Sequence, residues 1–144
     1  MTIKDQAQSI EEIRNIFTPE AIEEMVHRFY ARVQKDESLA PYFAAKITNW
    51  EHHLQRMVYF WRNILRAERL FVASPRGAPP ALHRQLPGVE MQHFHRWLEL
   101  FEQTNLELFP KFAVDNIMHR AKRMSVVLSA HIHEPTQPKE KEAV

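Results

Sequence analysis

Residues 50–65 of the chain, WEHHLQRMVYFWRNIL, decide the fold class. Apolar and aromatic side chains recur along this stretch at intervals of three and four residues, which places them on one face of an α-helix. Thr48 and Glu51 match the capping-box pattern that opens a helix. The pattern therefore predicts a long amphipathic helix that starts at this capping box and ends near Arg66.

Helical patterns separated by proline lie on both sides of this stretch. The predicted elements are a short helix at 9–17, a helix from 18 to about 36, a tight apolar corner at 39–43, one or two helical turns at 81–86, a helix at about 90–107 and a last helix after Pro110. We expect Met91 and Val127 to lie on the inner faces of the last two long helices. Only two glycines occur among 144 residues, whereas strand-rich folds use glycine in turns and bulges. The sequence predicts an all-α domain.

Composition excludes several classes of protein. Nineteen basic and eighteen acidic residues leave a formal charge of +1, which gives no electrostatic reason to expect a nucleic-acid partner. No run approaches the roughly 18 apolar residues of a membrane helix, and residues 1–15 lack the apolar core of a secretory signal. We therefore expect a cytoplasmic protein with no membrane partner. The absence of cysteine excludes disulfides, thiolate metal sites and haem attached through cysteine.

Two of the nine histidines are placed for a buried role. At about 100° per residue, His53 lies near the centre of its helix's apolar stripe, whereas His52 points almost the opposite way. His83 follows a proline-rich loop, on the short predicted helix. Taken alone, each inward histidine is more often a satisfied core residue than a ligand. Together they suit a flat cofactor held edge-on between two helices, with its iron ligated by one imidazole.

Other polar residues allow competing interpretations. The pairs Glu24-x-x-His27 and Glu90-x-x-His93 have the spacing that di-iron helical bundles use. Glu24 and His27 lie away from the apolar centre of their helix, and the apolar stripes contain no further carboxylates, so we reject a di-iron site. Tyr30 falls on the inner edge of its helix, where it is either a plain core aromatic or a hydrogen-bond donor to a pocket. Trp97 leaves the same two alternatives open.

A set of motifs in order resembles the group III truncated haemoglobins between about residues 18 and 130. The matching residues are Phe29-Tyr30, Val33, Asp36, Leu39-x-Pro41-x-Phe43, Trp50-x-x-His53, Phe60-Trp61, Gly77-x-Pro79, His83, Leu86-Pro87 and Phe94-x-x-Trp97-Leu98-x-Leu100-Phe101. No single piece is specific, but the order and spacing together are. The glycine motifs of other truncated globin groups are missing, as they are in group III.

The resemblance implies a two-over-two helical sandwich around a non-covalent haem b. His83 takes the position of the proximal iron ligand, with Tyr30, His53 and Trp97 on the distal side. The residues that the resemblance and their position assign to the haem are Phe43, His53, Arg56, Met57, Trp61, His83 and Trp97. Arg56 either pairs with a haem propionate or is solvated. The expected domain is 18–133, preceded by an extension with a short helix at 1–17 and followed by a disordered charged tail at 134–144.

The expected function is reversible binding of dioxygen, or of another small haem ligand, at a pentacoordinate or weakly hexacoordinate iron. The alternative is a haem redox enzyme, such as a nitric oxide dioxygenase or a peroxidase-like enzyme, which needs an unidentified reductase. A haem-free helical interaction module is a third class. Three roles stay open for His53: a third hydrogen-bond donor, a swinging gate or a direct sixth ligand.

Overall fold

The computed structural model describes residues 3–69 and 90–132, with side chains at 10–69 and 90–127. These parts of the chain contain six helices and no strand: α1 (Ile3–Ile16), α2 (Pro19–Lys35), α3 (Ala40–Lys46), α4 (Trp50–Arg66), α5 (Met91–Leu108) and α6 (Lys111–Ile132). The all-α prediction is confirmed. The predicted short helix at 81–86, with His83, and the tail at 134–144 lie outside the described residues.

Helix α2 begins and ends where its sequence signals predict. The Thr18 hydroxyl accepts a hydrogen bond from the backbone N–H of Ala21 at 3.1 Å, and Pro19 occupies the first turn, where its missing N–H costs nothing. The backbone turns extended at Asp36, directly after the last helical residue. Residues 40–43 of the predicted apolar corner are instead the start of α3, because Pro41 lies in a first turn that tolerates it.

Helix α4 begins one residue later than the predicted capping box. Its N-cap is Asn49, whose side-chain oxygen accepts from the backbone N–H of His52 at 3.1 Å. The assignment of Thr48 as the cap was therefore wrong. The physical reason is that the helix starts at Trp50, which puts Asn49 at the half-in position, and asparagine is among the best residues there. The predicted end at Arg66 is confirmed.

This cap gives a direct test of the helix start. Replacing Asn49 by alanine is expected to lower the free energy of unfolding by about 1 kcal/mol, because the N–H of His52 loses its acceptor. Urea unfolding followed by circular dichroism measures the change. Thr48→Ala is the matched control and should change stability by less than about 0.5 kcal/mol. Equal losses in the two variants would contradict the assignment of Asn49 as the cap.

The core lies where α2 meets α4 and α5, and where α5 meets α6. Its fully buried large side chains are Phe17, Ile22, Met25, Val26, Phe29, Val33, Phe101, Val114 and Ile117. Two residues expected inward are exposed instead: Met91 at 45% and Val127 at 49%. Met91 is the first residue of α5, and Val127 lies in the second half of α6. The apolar spacing of these two helices therefore extends beyond the residues that are buried in the core.

Arginines fix the carboxyl end of α4. The guanidinium of Arg66 donates to the backbone oxygens of Arg14 at 2.8 Å and of Phe17 at 3.1 Å, which holds the end of α1 against α4. Arg62 and Arg66 both pair with Glu68, at 2.8 Å and 3.5 Å. These pairs hold Glu68 against the last turn of α4.

Candidate functional site

Three helices converge on the ring of Tyr30. Its centroid lies 5.0 Å from that of His53 on α4, 6.0 Å from Trp50 on the same helix and 6.0 Å from Phe43 on α3. Tyr30 itself comes from α2, the helix whose apolar stripe forms the centre of the core. The structure thus brings three of the predicted site residues, Tyr30, Phe43 and His53, into one aromatic cluster.

Tyr30 is the polar residue at the centre of this cluster. Its side chain is buried, with 6% of the residue exposed. Burial raises the pKa of the Tyr30 hydroxyl well above its ordinary value, because the phenolate is poorly solvated there. The group therefore stays a neutral phenol across the physiological pH range. It carries an O–H that can donate a hydrogen bond inside a site of low dielectric constant.

His53 lies beside Tyr30 in the first turns of α4. Its ring meets Tyr30 nearly perpendicularly, at an interplanar angle of 87°, and meets Trp50 at 89° with centroids 5.6 Å apart. The residue is half-buried and its ε nitrogen is shielded from solvent. The neighbouring His52 is exposed. The helical phase predicted that His53 faces inward and that His52 faces outward, and both predictions are confirmed.

Trp97 reaches the cluster from α5, through Phe29. The Trp97 indole is half-buried, meets the Phe29 ring edge to face at 5.2 Å and stacks on Phe101 at 5.1 Å with an interplanar angle of 14°. Phe29 in turn contacts Tyr30, with ring centroids 4.9 Å apart. The two predicted donors come from different helices and are joined by one buried phenylalanine.

The remaining predicted residues lie at different depths. Met57 and Arg56, one turn after His53, are half-buried. Trp61 is more deeply placed: 3% of the residue is exposed, and its indole stacks on Phe101 at 5.1 Å and 20°. The predicted iron ligand, His83, lies outside the described residues.

Two residues at the site had no assigned role in the sequence. Phe29 and Phe101 belong to apolar stripes and to the quoted motifs, but nothing in the chain marks their contacts with Tyr30 and Trp97. The four-residue spacing from Trp97 to Phe101 was the available signal, because it places both rings on one face of α5. The position of Phe29 between helices carries no such signal.

The competing Glu-x-x-His pairs have other local contacts. Glu24 pairs with Arg28 at 2.5 Å, and the δ nitrogen of His27 lies 2.8 Å from the backbone oxygen of Glu23. Both residues are exposed, as their helical phase predicts. In the second pair, the δ nitrogen of His93 accepts a hydrogen bond from the backbone N–H of Glu90 at 2.8 Å.

Neither a metal cluster nor a membrane span is found in the described ranges. Among the side chains that the structure describes, at 10–69 and 90–127, no three of histidine, aspartate or glutamate lie close enough together to hold a metal ion. Over residues 3–69 and 90–132, no helix combines the length and the apolar character needed to cross a bilayer.

An ion pair links the helix of Tyr30 to the helix of Trp97. Asp36 follows α2, and its carboxylate accepts from the Arg96 guanidinium on α5 at 2.8 Å, from the Ser38 hydroxyl at 2.6 Å and from the backbone N–H of Leu39 at 3.2 Å. Burial alone raises the pKa of Asp36, but the hydrogen bonds from Ser38 and Arg96 and the positive charge of Arg96 outweigh it. The net result is a lowered pKa.

This lowered pKa makes part of the stability pH-dependent. The ion pair contributes fully above the unfolded pKa of about 3.9, and its contribution is lost as the pH falls through the lower folded value. We expect Asp36→Asn to lower the free energy of unfolding at pH 7 by about 1–2 kcal/mol, since Arg96 is partly exposed and solvent screens the pair.

Urea unfolding at neutral and at acid pH measures this effect. The difference between wild type and Asp36→Asn should shrink as the solution is acidified below about pH 4. Glu37→Gln, at an exposed neighbouring carboxylate, is the control and should show no such trend. A stability difference that stays constant down to pH 2, or one that grows, would contradict the role of the Asp36 carboxylate.

Comparisons with known proteins agree with one another. The family model described as "Bacterial-like globin" matches residues 14–130. A curated relative, group 3 truncated hemoglobin ctb from Campylobacter jejuni, is 28% identical over 110 residues, which cover 74% of this chain and 84% of that protein. The crystal structure of a group III truncated hemoglobin from Campylobacter jejuni superposes with a TM-score of 0.74 at 26% identity, covering 84% of this chain and 95% of the other.

These findings confirm the resemblance that the sequence motifs indicated, and with it the truncated globin fold. The matched region includes Tyr30, His53 and Trp97 and extends over residues 70–89, which the structure does not describe. The chain belongs to the bacterial-like globin family.

Proposed function

We propose that the chain binds a non-covalent haem b, with His83 as the iron ligand, and that it binds dioxygen or another small diatomic ligand reversibly. Membership of the globin family implies haem binding. The single observation that carries the ligand-binding proposal is the buried, neutral Tyr30 phenol beside His53. Such a group can donate a hydrogen bond to a ligand inside a site of low dielectric constant.

The described side chains fit a porphyrin in their chemistry. A flat, apolar macrocycle needs apolar surroundings, and half-buried apolar side chains pack against the core on the helices that carry the site: Phe43, Leu54, Met57, Phe60, Ile64 and Leu98. His53, with its buried ε nitrogen, adds an imidazole, which suits an iron centre. Arg56, half-buried one turn further along α4, would pair with a propionate.

The polar residues would act on the diatomic ligand. Haem, when bound, supplies the iron centre at which such ligands bind. The Tyr30 hydroxyl and the Trp97 indole N–H would donate to a ligand with partial negative charge and slow its release. His53 would add a third donor from α4. Because the site lies among aromatic rings, water competes poorly for these hydrogen bonds and each is stronger than it is in solvent.

The same donors also serve the redox alternative, in which the protein turns over nitric oxide or peroxide with electrons from a reductase. Polar donors aimed at a bound O–O group would polarise it. The reversible-binding proposal and the redox proposal differ in what happens to the ligand: release of unchanged dioxygen in one, and conversion to product in the other.

Two measurements on the haem-loaded protein test the proposal. Stopped-flow mixing of the dioxygen complex with excess carbon monoxide gives the dissociation rate of dioxygen. Nitrate formation from nitric oxide, with a general flavin reductase and reduced nicotinamide supplied, gives the turnover. We expect measurable, reversible dioxygen release and little turnover. Rapid catalytic nitrate formation would replace the binding proposal by the redox one, and failure to bind dioxygen, carbon monoxide and nitric oxide would contradict the binding proposal.

A further inference from the structure

We infer that Phe29 is a positioning residue that sets Tyr30 and Trp97 relative to each other, so that the two donors act on the ligand as a coupled pair. This inference rests on the proposed function of the pocket, and it deepens that function by assigning a role to a residue outside the predicted ligand cage. The evidence lies in how the aromatic rings of α2 and α5 meet.

Adjacent residues of a helix point in directions about 100° apart. The neighbouring residues Phe29 and Tyr30 of α2 therefore face different helices. The ring of Tyr30 faces α3 and α4, where it contacts Phe43 and His53. The ring of Phe29 faces α5, where it meets Trp97 edge to face at 5.2 Å and an interplanar angle of 85°. Tyr30 therefore reaches His53 on α4, and Phe29 reaches α5, the helix that carries Trp97.

Phe29 links Trp97 to Tyr30, because its ring also contacts the ring of Tyr30, the next residue in the chain. Its ring centroid lies 4.9 Å from that of Tyr30, at an interplanar angle of 65°. Phe29 makes a third edge-to-face contact with Phe101 at 5.1 Å, and Phe101 in turn stacks on the Trp97 indole. Phe29 is 1% exposed. A rigid, fully enclosed ring with three edge contacts transmits a displacement of one donor to the other.

A leucine at this position would remain apolar but lose the planar edge contacts. The rings of Tyr30 and Trp97 would then settle independently in the space left by the smaller side chain. Hydrogen bonds weaken steeply as their angles deteriorate. Dioxygen release should therefore become faster even though both donors are still present.

A matched control distinguishes positioning from general loss of packing. Phe17 is as deeply buried as Phe29, with 0% of the residue exposed, and it packs on Phe109 with ring centroids 4.5 Å apart. Phe17 directly follows α1, and its contact Phe109 is the C-cap residue of α5. Phe17→Leu should lower stability in a similar way to Phe29→Leu, without moving either donor.

The experiment uses a double-mutant cycle on the haem-loaded protein. Tyr30→Phe and Trp97→Phe are made singly and together in three backgrounds: wild type, Phe29→Leu and Phe17→Leu. In wild type and in Phe17→Leu, the two substitutions should be non-additive in the dioxygen dissociation rate, because the donors are coupled. In Phe29→Leu we expect a basal rate about fivefold faster, as distorted hydrogen bonds weaken, and additive effects of the two substitutions.

A second readout does not depend on ligand release. The indole N–H proton of Trp97, assigned in the NMR spectrum through its loss in Trp97→Phe, should shift in Phe29→Leu and stay in place in Phe17→Leu. Its shift reports the ring environment directly, because Phe29 and Phe101 surround the indole.

The outcomes separate the inference from the proposed function. If Tyr30→Phe and Trp97→Phe leave dioxygen release unchanged in wild type, the proposed donor roles of Tyr30 and Trp97 fail, and the indole shift alone decides whether Phe29 positions Trp97. If they speed release equally in all three backgrounds, with the same non-additivity, the inference is overturned while the proposed function stands. Equal indole shifts in the two leucine variants would also overturn it.

Discussion

Replacement of Tyr30 by phenylalanine is expected to speed dioxygen release by about tenfold to a hundredfold. The substitution removes one oxygen atom and keeps the ring among Phe29, Phe43 and His53. A hydrogen bond to a ligand with partial charge is worth roughly 1.5–3 kcal/mol in a buried site, which corresponds to this range of rates. Stopped-flow measurement of the dissociation rate checks the expectation.

A second tyrosine provides the control for this experiment. Tyr59 lies on α4, is half-buried, and its hydroxyl accepts from the Gln55 amide at 3.4 Å. Tyr59→Phe should leave the dissociation rate within about twofold of wild type, as expected for a substitution away from the ligand. An equal change in the two variants, or no change in Tyr30→Phe, would remove Tyr30 from the ligand site.

The effect of Tyr30→Phe should also be independent of pH in the neutral and mildly alkaline range. Burial raises the pKa of the Tyr30 hydroxyl, so the donor proton is still present above the value of about 10 at which an exposed tyrosine ionises. The ratio of the two rates should hold from about pH 6 to pH 9. A ratio that falls towards unity at pH 9 would indicate that the phenol ionises within this range.

Phe101→Ala is expected to be the most damaging core substitution at the site. The residue is 0% exposed, and its ring lies between the indoles of Trp61 and Trp97 and against Phe29. Removal of a fully buried phenylalanine ring costs about 3–5 kcal/mol, because apolar burial is lost and a cavity remains. That loss is a large part of the total stability of a small domain. Urea unfolding of the haem-free protein measures it without the contribution of the cofactor.

Phe112→Ala is the matched control on α6. This phenylalanine is 54% exposed, so its replacement should change the free energy of unfolding by less than about 0.5 kcal/mol. Haem affinity should fall in Phe101→Ala and stay the same in Phe112→Ala, since Phe101 stacks on both Trp61 and Trp97. Similar stabilities for the two variants would contradict the burial of the Phe101 ring against Phe29, Trp61 and Trp97.

For α4, the sequence predicted the buried face better than the first residue. Helical phase placed His53 inward and His52 outward, and both placements are confirmed, because a long apolar stripe fixes the rotation of α4. The cap was shifted by one residue, to Asn49, because Thr48 and Asn49 both suit the position and only the backbone of the folded helix decides between them.

Contacts between helices were beyond the reach of periodicity. An apolar stripe says which side of a helix is buried, but not which ring of the next helix it meets. The position of Phe29 between Tyr30 and Trp97 depends on how closely α2 and α5 approach and at what angle, which is a tertiary property. For the same reason, the exposure of Met91 and Val127 did not follow from their spacing.

The most direct test of the central proposal is a haem titration of the purified, haem-free protein, followed by absorption spectroscopy and repeated with His83→Gly. Haem binding through His83 predicts that wild type takes up haem to saturation with an intense Soret band, and that His83→Gly gives a spectrum with altered iron ligation. Either no Soret uptake by wild type, or an unchanged spectrum in His83→Gly, would contradict the proposal.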